Sequence, residues 1–190
     1  MNSKVDSSEF RIVADSVFGT LLTITTILSG LYIGMAFGWF EGAIGEATTP
    51  EMIHQATTGI VISLVFILPL VLVLMAWALS KFSDSIAWRN IAWSGLIYCL
   101  TQDFIGLVAM FGLTLIMAGG IYQGVTVIVL PLVVSIPPVL GVVLGYRVSS
   151  RYGPGLSRER HALTALITII VIFAIQATLV LIGIRFGAIM

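Results

Sequence analysis

Asp103 is an acid set inside a long apolar run, and its chemistry is constrained by that setting. A carboxylate in mid-membrane costs roughly 2.5–3.5 kcal/mol on insertion scales. It therefore faces a bundle interior or water, or it carries a proton. No lysine or arginine lies at a similar depth, so an ion pair within the chain is excluded. The partners left are hydroxyls, amides, backbone carbonyls, water, or a residue of another chain.

Depth arithmetic brings other polar residues to the same level. At about 1.5 Å per residue, Asp103 lies about 18 Å from the inner start of its helix and Gln176 about 21 Å into the last one. Gln102 adjoins Asp103, Thr25 and Thr26 lie about as deep in the first apolar run, and Ser135 does so in the fourth. Pro69, Pro137 and Pro138 fall near the same plane, with Pro131 further along the fourth run. These prolines are expected to kink their helices. Each frees a backbone carbonyl, because proline has no N–H to give the residue four positions earlier. Two chemistries fit such a layer. In one, Asp103 is bonded to Gln176 or a threonine and ties helices together. In the other, the layer binds a proton, a cation or a small polar solute, as interrupted helices do in transporters.

Other constellations are absent. His54 and His161 fall near opposite membrane faces and are expected as interfacial polar residues. Cys99 is the single cysteine, so neither an internal disulfide nor a cysteine cluster can form. No HExxH, GxSxG, phosphate loop or CxxCH occurs. No catalytic residue, metal site or cofactor is expected, and the chain is read as not an enzyme.

The elements that position these residues are membrane helices. Of 190 residues, 58% are hydrophobic and 9% charged, against about 25% charged in an ordinary soluble domain. So few charges cannot cover a soluble globule. The balanced charge of nine basic and nine acidic groups offers no field for nucleic acid. A span takes roughly 20 mostly apolar residues. Five are expected, at about 13–40, 55–80, 91–118, 125–146 and 162–185, forming one all-α membrane domain over residues 1–190. The third and fourth are divided by the turn Gly119-Gly120-Ile121-Tyr122-Gln123-Gly124. Thr49-Pro50-Glu51 reads as the start of the second helix. Lys4, Arg11, Lys81, Arg89, Arg147, Arg151, Arg158 and Arg160 share one side, whereas Arg185 stands alone on the other. The positive-inside rule then predicts a cytoplasmic N-terminus and an external C-terminus. Trp77, Trp88 and Trp93 are expected as inner anchors and Trp39 as an outer one. The short loops and a retained first helix suit a prokaryotic cytoplasmic membrane.

Small residues let helices approach in lipid. Gly30, Gly34, Gly38 and Gly42 recur at every fourth position and form a groove on the first helix; Gly141 and Gly145 repeat the spacing on the fourth. On the third, Gly95, Cys99, Gln102, Gly106 and Ala109 make a small or polar stripe that should face protein. The glycine groove fits either packing within the chain or docking of another chain. Short loops, absent catalytic groups and that groove together suggest a non-catalytic subunit of a larger membrane complex. Its partners would be membrane lipid and either other membrane subunits or further copies of itself. The alternative is a proton- or cation-coupled small-solute permease or channel with its site at Asp103.

Overall fold

The computed structural model describes residues 7–44, 50–83, 86–118, 136–148, 151 and 157–185. Over these residues the chain is all-helical. Helix α1 is Ser7–Ile44, α2 Pro50–Phe82 and α3 Ile86–Ala118. They are followed by α4, Ile136–Val148, and α5, Arg158–Arg185. Four of the five contain apolar stretches long enough to cross a membrane: Ile12–Leu31, Thr58–Phe82, Ala87–Val108 and Glu159–Gly183. The described part of α4 is apolar but covers fewer residues than a crossing requires. The expected span at 125–146 lies partly outside the described residues, as do the 119–124 turn, Pro131 and Ser135. Pro137 and Pro138 lie at the edge of the described part of α4, and the preceding residues that would show a kink lie outside the described residues.

Outward-facing side chains are apolar, among them Ile27 on α1, Phe104 and Val108 on α3, and Leu163, Ile170 and Leu181 on α5. Helices apolar on their outer as well as their inner faces are compatible with a lipid surround. Contacts fix the relative directions of the helices. Asp15 near the start of α1 pairs with Lys81 near the end of α2, so the two run antiparallel. Val73 of α2 sits against Gly95 of α3, and both are met by Ile172 of α5. Asn90 Nδ2 donates to the His161 carbonyl (3.0 Å), joining the first turns of α3 and α5, and Tyr98 is bonded to Gln176 further along both. α3 and α5 are therefore parallel. α4 opposes them, because Gly145 lies on Ser94 and Gly141 on Tyr98.

The core is aromatic where α1, α2 and α3 meet. Phe18 stacks on Trp77 with ring centres 5.8 Å apart and meets Trp93 edge-on at 5.0 Å. Trp93 is thus buried among helices and unavailable to headgroups, contrary to its expected role as an anchor. Trp88 keeps an exposed face. His161 also departs from expectation: it is buried in the first turn of α5, where α3 covers it. Trp39 and His54 lie on helices, but outside the residues whose surroundings are described.

The glycines divide into two groups. A Cβ on Gly145 would fall 2.7 Å from the Ser94 Cα, and one on Gly141 would fall 3.2 Å from the Tyr98 Cβ and 2.7 Å from the Ile169 Cδ1. A Cβ on Gly95 would meet Val73 Cγ2 at 2.7 Å. These three positions admit no side chain without movement, so backbone approach depends on them. Gly30 and Gly34 have nothing within 4 Å of such an atom and lie on the exposed side of α1. The surroundings of Gly38 and Gly42 are outside the described residues, and Gly106 is half-buried.

Candidate functional site

The polar residues of the middle of the bundle form two groups on neighbouring sides of α3. Gln102 and Asp103 are consecutive, and consecutive helical residues point about 100° apart. Asp103 turns toward α1, where Ser29 Oγ donates to its Oδ2 at 2.8 Å. Both residues are buried. Gln102 turns toward α5 and meets Gln176.

The Gln176 group begins with a covalent fact. Pro69 lies within α2, its side chain fully buried, and has no N–H for the carbonyl of Val65. That carbonyl accepts instead from Gln176 Nε2, at 2.9 Å. The same Nε2 donates to Gln102 Oε1, also at 2.9 Å, and Tyr98 donates its hydroxyl to Gln176 Oε1 at 2.5 Å. One glutamine on α5 thereby joins α2 to α3. The orientation of both amides follows from the chemistry of the first acceptor. A carbonyl oxygen can only accept, so the nitrogen of Gln176 faces Val65 and its oxygen faces Tyr98. Gln102 must then present its oxygen to Gln176, which leaves its two amide N–H groups with no hydrogen-bond partner among the described residues.

Of the expected layer, Gln102 and Gln176 come together, and Pro69 supplies the freed carbonyl. Asp103 is brought to Ser29 rather than to either threonine. Thr25 is buried but returns its hydroxyl to the Leu21 carbonyl (2.9 Å), and Thr26 returns its own to Leu22 (2.8 Å) on an exposed face. Ser135 is outside the described residues. Ser29 and Tyr98 were not singled out from the sequence. Ser29 could have been found from its register, four residues after Thr25 on the face opposite the glycines; Tyr98 lies one turn before Gln102 on α3.

Three cavities among the described residues adjoin these helices. One of about 330 Å³ is walled by Tyr98, Gln102 and Gln176 together with Val65, Pro137 and Phe173. A second, of about 600 Å³, is an apolar groove between α4 and α5 lined by Pro138, Val139, Val143, Leu166, Ile170 and Phe173. A third, about 320 Å³, lies among α2, α3 and α5 and is lined almost wholly by apolar groups. Asp103 lines none of the three. Among the described residues no three His, Cys, Asp or Glu side chains gather to hold a metal ion. The chain matches no protein-family model, no curated protein and no solved structure.

Proposed function

We propose that this chain is an integral membrane protein of a prokaryotic cytoplasmic membrane, crossing five times with its N-terminus inside, and that it acts as a non-catalytic helix-packing subunit. The observation that carries the reading is the open face of α1. Among the described residues a Cβ added at Gly30 or Gly34 meets nothing within 4 Å, although glycines at the same spacing on α4 are closed against other helices. The face continues toward the start of α1 through Ile27, Thr23, Gly19 and Ser16, which share its side of the helix. Its hydroxyls are turned inward: Thr23 Oγ1 donates to the Gly19 carbonyl at 2.9 Å and Thr20 Oγ1 to that of Ser16 at 3.0 Å. By contrast, α5 shows lipid large side chains such as Leu163, Ile170 and Leu181. A strip on which small residues, with Thr20 and Thr23 bonded to backbone, are interrupted by Ile27 leaves the backbone of α1 open to close approach by another helix at Gly30 and Gly34. The orientation is supported by Lys81, Arg89, Arg147, Arg151 and Arg160, which gather at the end where α2 finishes and α3 and α5 begin.

The test is co-purification in mild detergent. The wild-type chain is expected to bring down a defined membrane partner or a second copy. Gly34→Leu is expected to release it without changing the thermal stability of the isolated chain. A wild-type protein that runs as a lone monomer, and forms no cross-link through Thr23→Cys in native membranes, would overturn the reading.

The buried carboxyl favours the second reading, a proton- or cation-coupled permease with Asp103 at its site. Asp103→Asn would then abolish flux in proteoliposomes. Its hydrogen bond to Ser29, which joins α3 to α1 outside the three cavities described, supports the tying role first.

A further inference from the structure

The Gln176 network leaves a specific chemical demand unfilled, and it lies where a ligand has room. Both N–H groups of Gln176 are committed, to Val65 and Gln102, and its oxygen accepts from Tyr98. The two N–H groups of Gln102 are not committed, and no hydrogen bond to them exists among the described residues. Gln102 is half-buried and lines the cavity of about 330 Å³. An uncommitted amide donor in an apolar setting calls for an acceptor, since a desolvated polar group without one costs about 1–3 kcal/mol. Among the described residues no charged side chain lines the cavity, so an ionic head would be desolvated there without compensation.

The rest of the ligand is indicated by the adjoining groove. Phe173 is a wall of both spaces, and the consecutive prolines of α4 are shared between them, Pro137 in the cavity and Pro138 in the groove. The groove is almost wholly apolar, with a volume of about 600 Å³. Together the two spaces offer a polar end and an apolar continuation, the arrangement of binding sites in which a few placed polar groups orient a mostly apolar molecule.

We infer that the Tyr98–Gln102–Gln176 cavity and the α4–α5 groove form one binding site for a neutral, membrane-soluble amphiphile, whose carbonyl oxygen accepts from the Gln102 amide and whose hydrocarbon tail lies along the groove past Phe173. A quinone and an acylglycerol share this chemistry, and the experiment separates them. The site is independent of the open face of α1, so either can fail without the other.

The test is native mass spectrometry of the full chain in detergent micelles with three probes: decyl-benzoquinone, mono-oleoylglycerol and hexadecane. One carbonyl probe is expected to bind at one molecule per chain, and the alkane is not. Binding of the quinone alone identifies a quinone site, and binding of the acylglycerol alone a lipid site. Gln102→Leu is expected to weaken the bound probe at least tenfold. Val139→Trp blocks the groove from another helix while leaving the amide network intact, and is expected to do the same. The inference is overturned if neither carbonyl probe binds, if hexadecane binds equally well, or if both variants bind as the wild type does.

Discussion

The same glycine spacing has opposite consequences on two helices of this molecule. On α4, Gly141 and Gly145 press against α3 and α5 so closely that a single added carbon would collide with Tyr98, Ile169 or the backbone at Ser94. On α1, a carbon added at Gly30 or Gly34 meets nothing within 4 Å among the described residues. The motif is thus a permission for close approach and not an instruction about which helix approaches. On α1 the inward face is occupied by Ala14, Phe18, Thr25 and Ser29, and the glycines point away from it. Whatever meets them must come from outside the fold described.

The sharpest way to break the contrast is to damage the closed side. Gln176→Leu removes the bonds to Val65, Gln102 and Tyr98 at once and leaves a buried hydroxyl and a proline-freed carbonyl without partners. A loss of about 2–4 kcal/mol is expected in a denaturing detergent titration, given interhelical bonds of about 0.6–1.7 kcal/mol and the cost of orphaned groups. A loss below about 0.5 kcal/mol would show that the network contributes little.

Gly145→Ala comes next. Alanine improves intrinsic helix propensity by about 1 kcal/mol, yet its Cβ must displace the Ser94 backbone. A net destabilisation of about 1–3 kcal/mol is expected from overpacking, read in the same titration. A third measurement dissects the proline. In a Pro69→Ala background, Val65 regains a backbone donor, so Gln176→Leu is expected to cost about 1 kcal/mol less than in the wild type. Equal costs in both backgrounds would deny the link between Pro69 and Gln176. The smallest effect is expected from Gly34→Ala, within about 0.5 kcal/mol of the wild type in the isolated chain, because there is open space to receive the methyl group. A large loss there would mean that the α1 face is occupied within the chain.

The aromatic core gives a second lesson about depth and direction. Trp77 and Trp93 lie near the basic end, which invites a headgroup role, but Phe18 claims both rings. Lys81 sits over Trp77, its Nζ 5.4 Å from the ring centre, and pairs with Asp15 as well. Position along a helix was readable for these residues. The side of the helix they occupy was not, because in lipid both sides are apolar and the hydrophobic pattern that marks a buried face in water is lost.

What the sequence determined alone follows from covalent structure and from the solvent its residues demand. Long charge-poor runs must be helices, since only internal hydrogen bonding satisfies a backbone in hydrocarbon, and Pro69 must free the carbonyl of Val65 because it has no N–H. The tertiary structure alone decided which donor takes that carbonyl, and that Asp103 and Gln102 serve different neighbours. Those outcomes depend on the rotation of each helix about its axis. That rotation is set by contacts such as Gly145 on Ser94 and Ser29 on Asp103 between residues far apart in the chain, which local spacing does not encode.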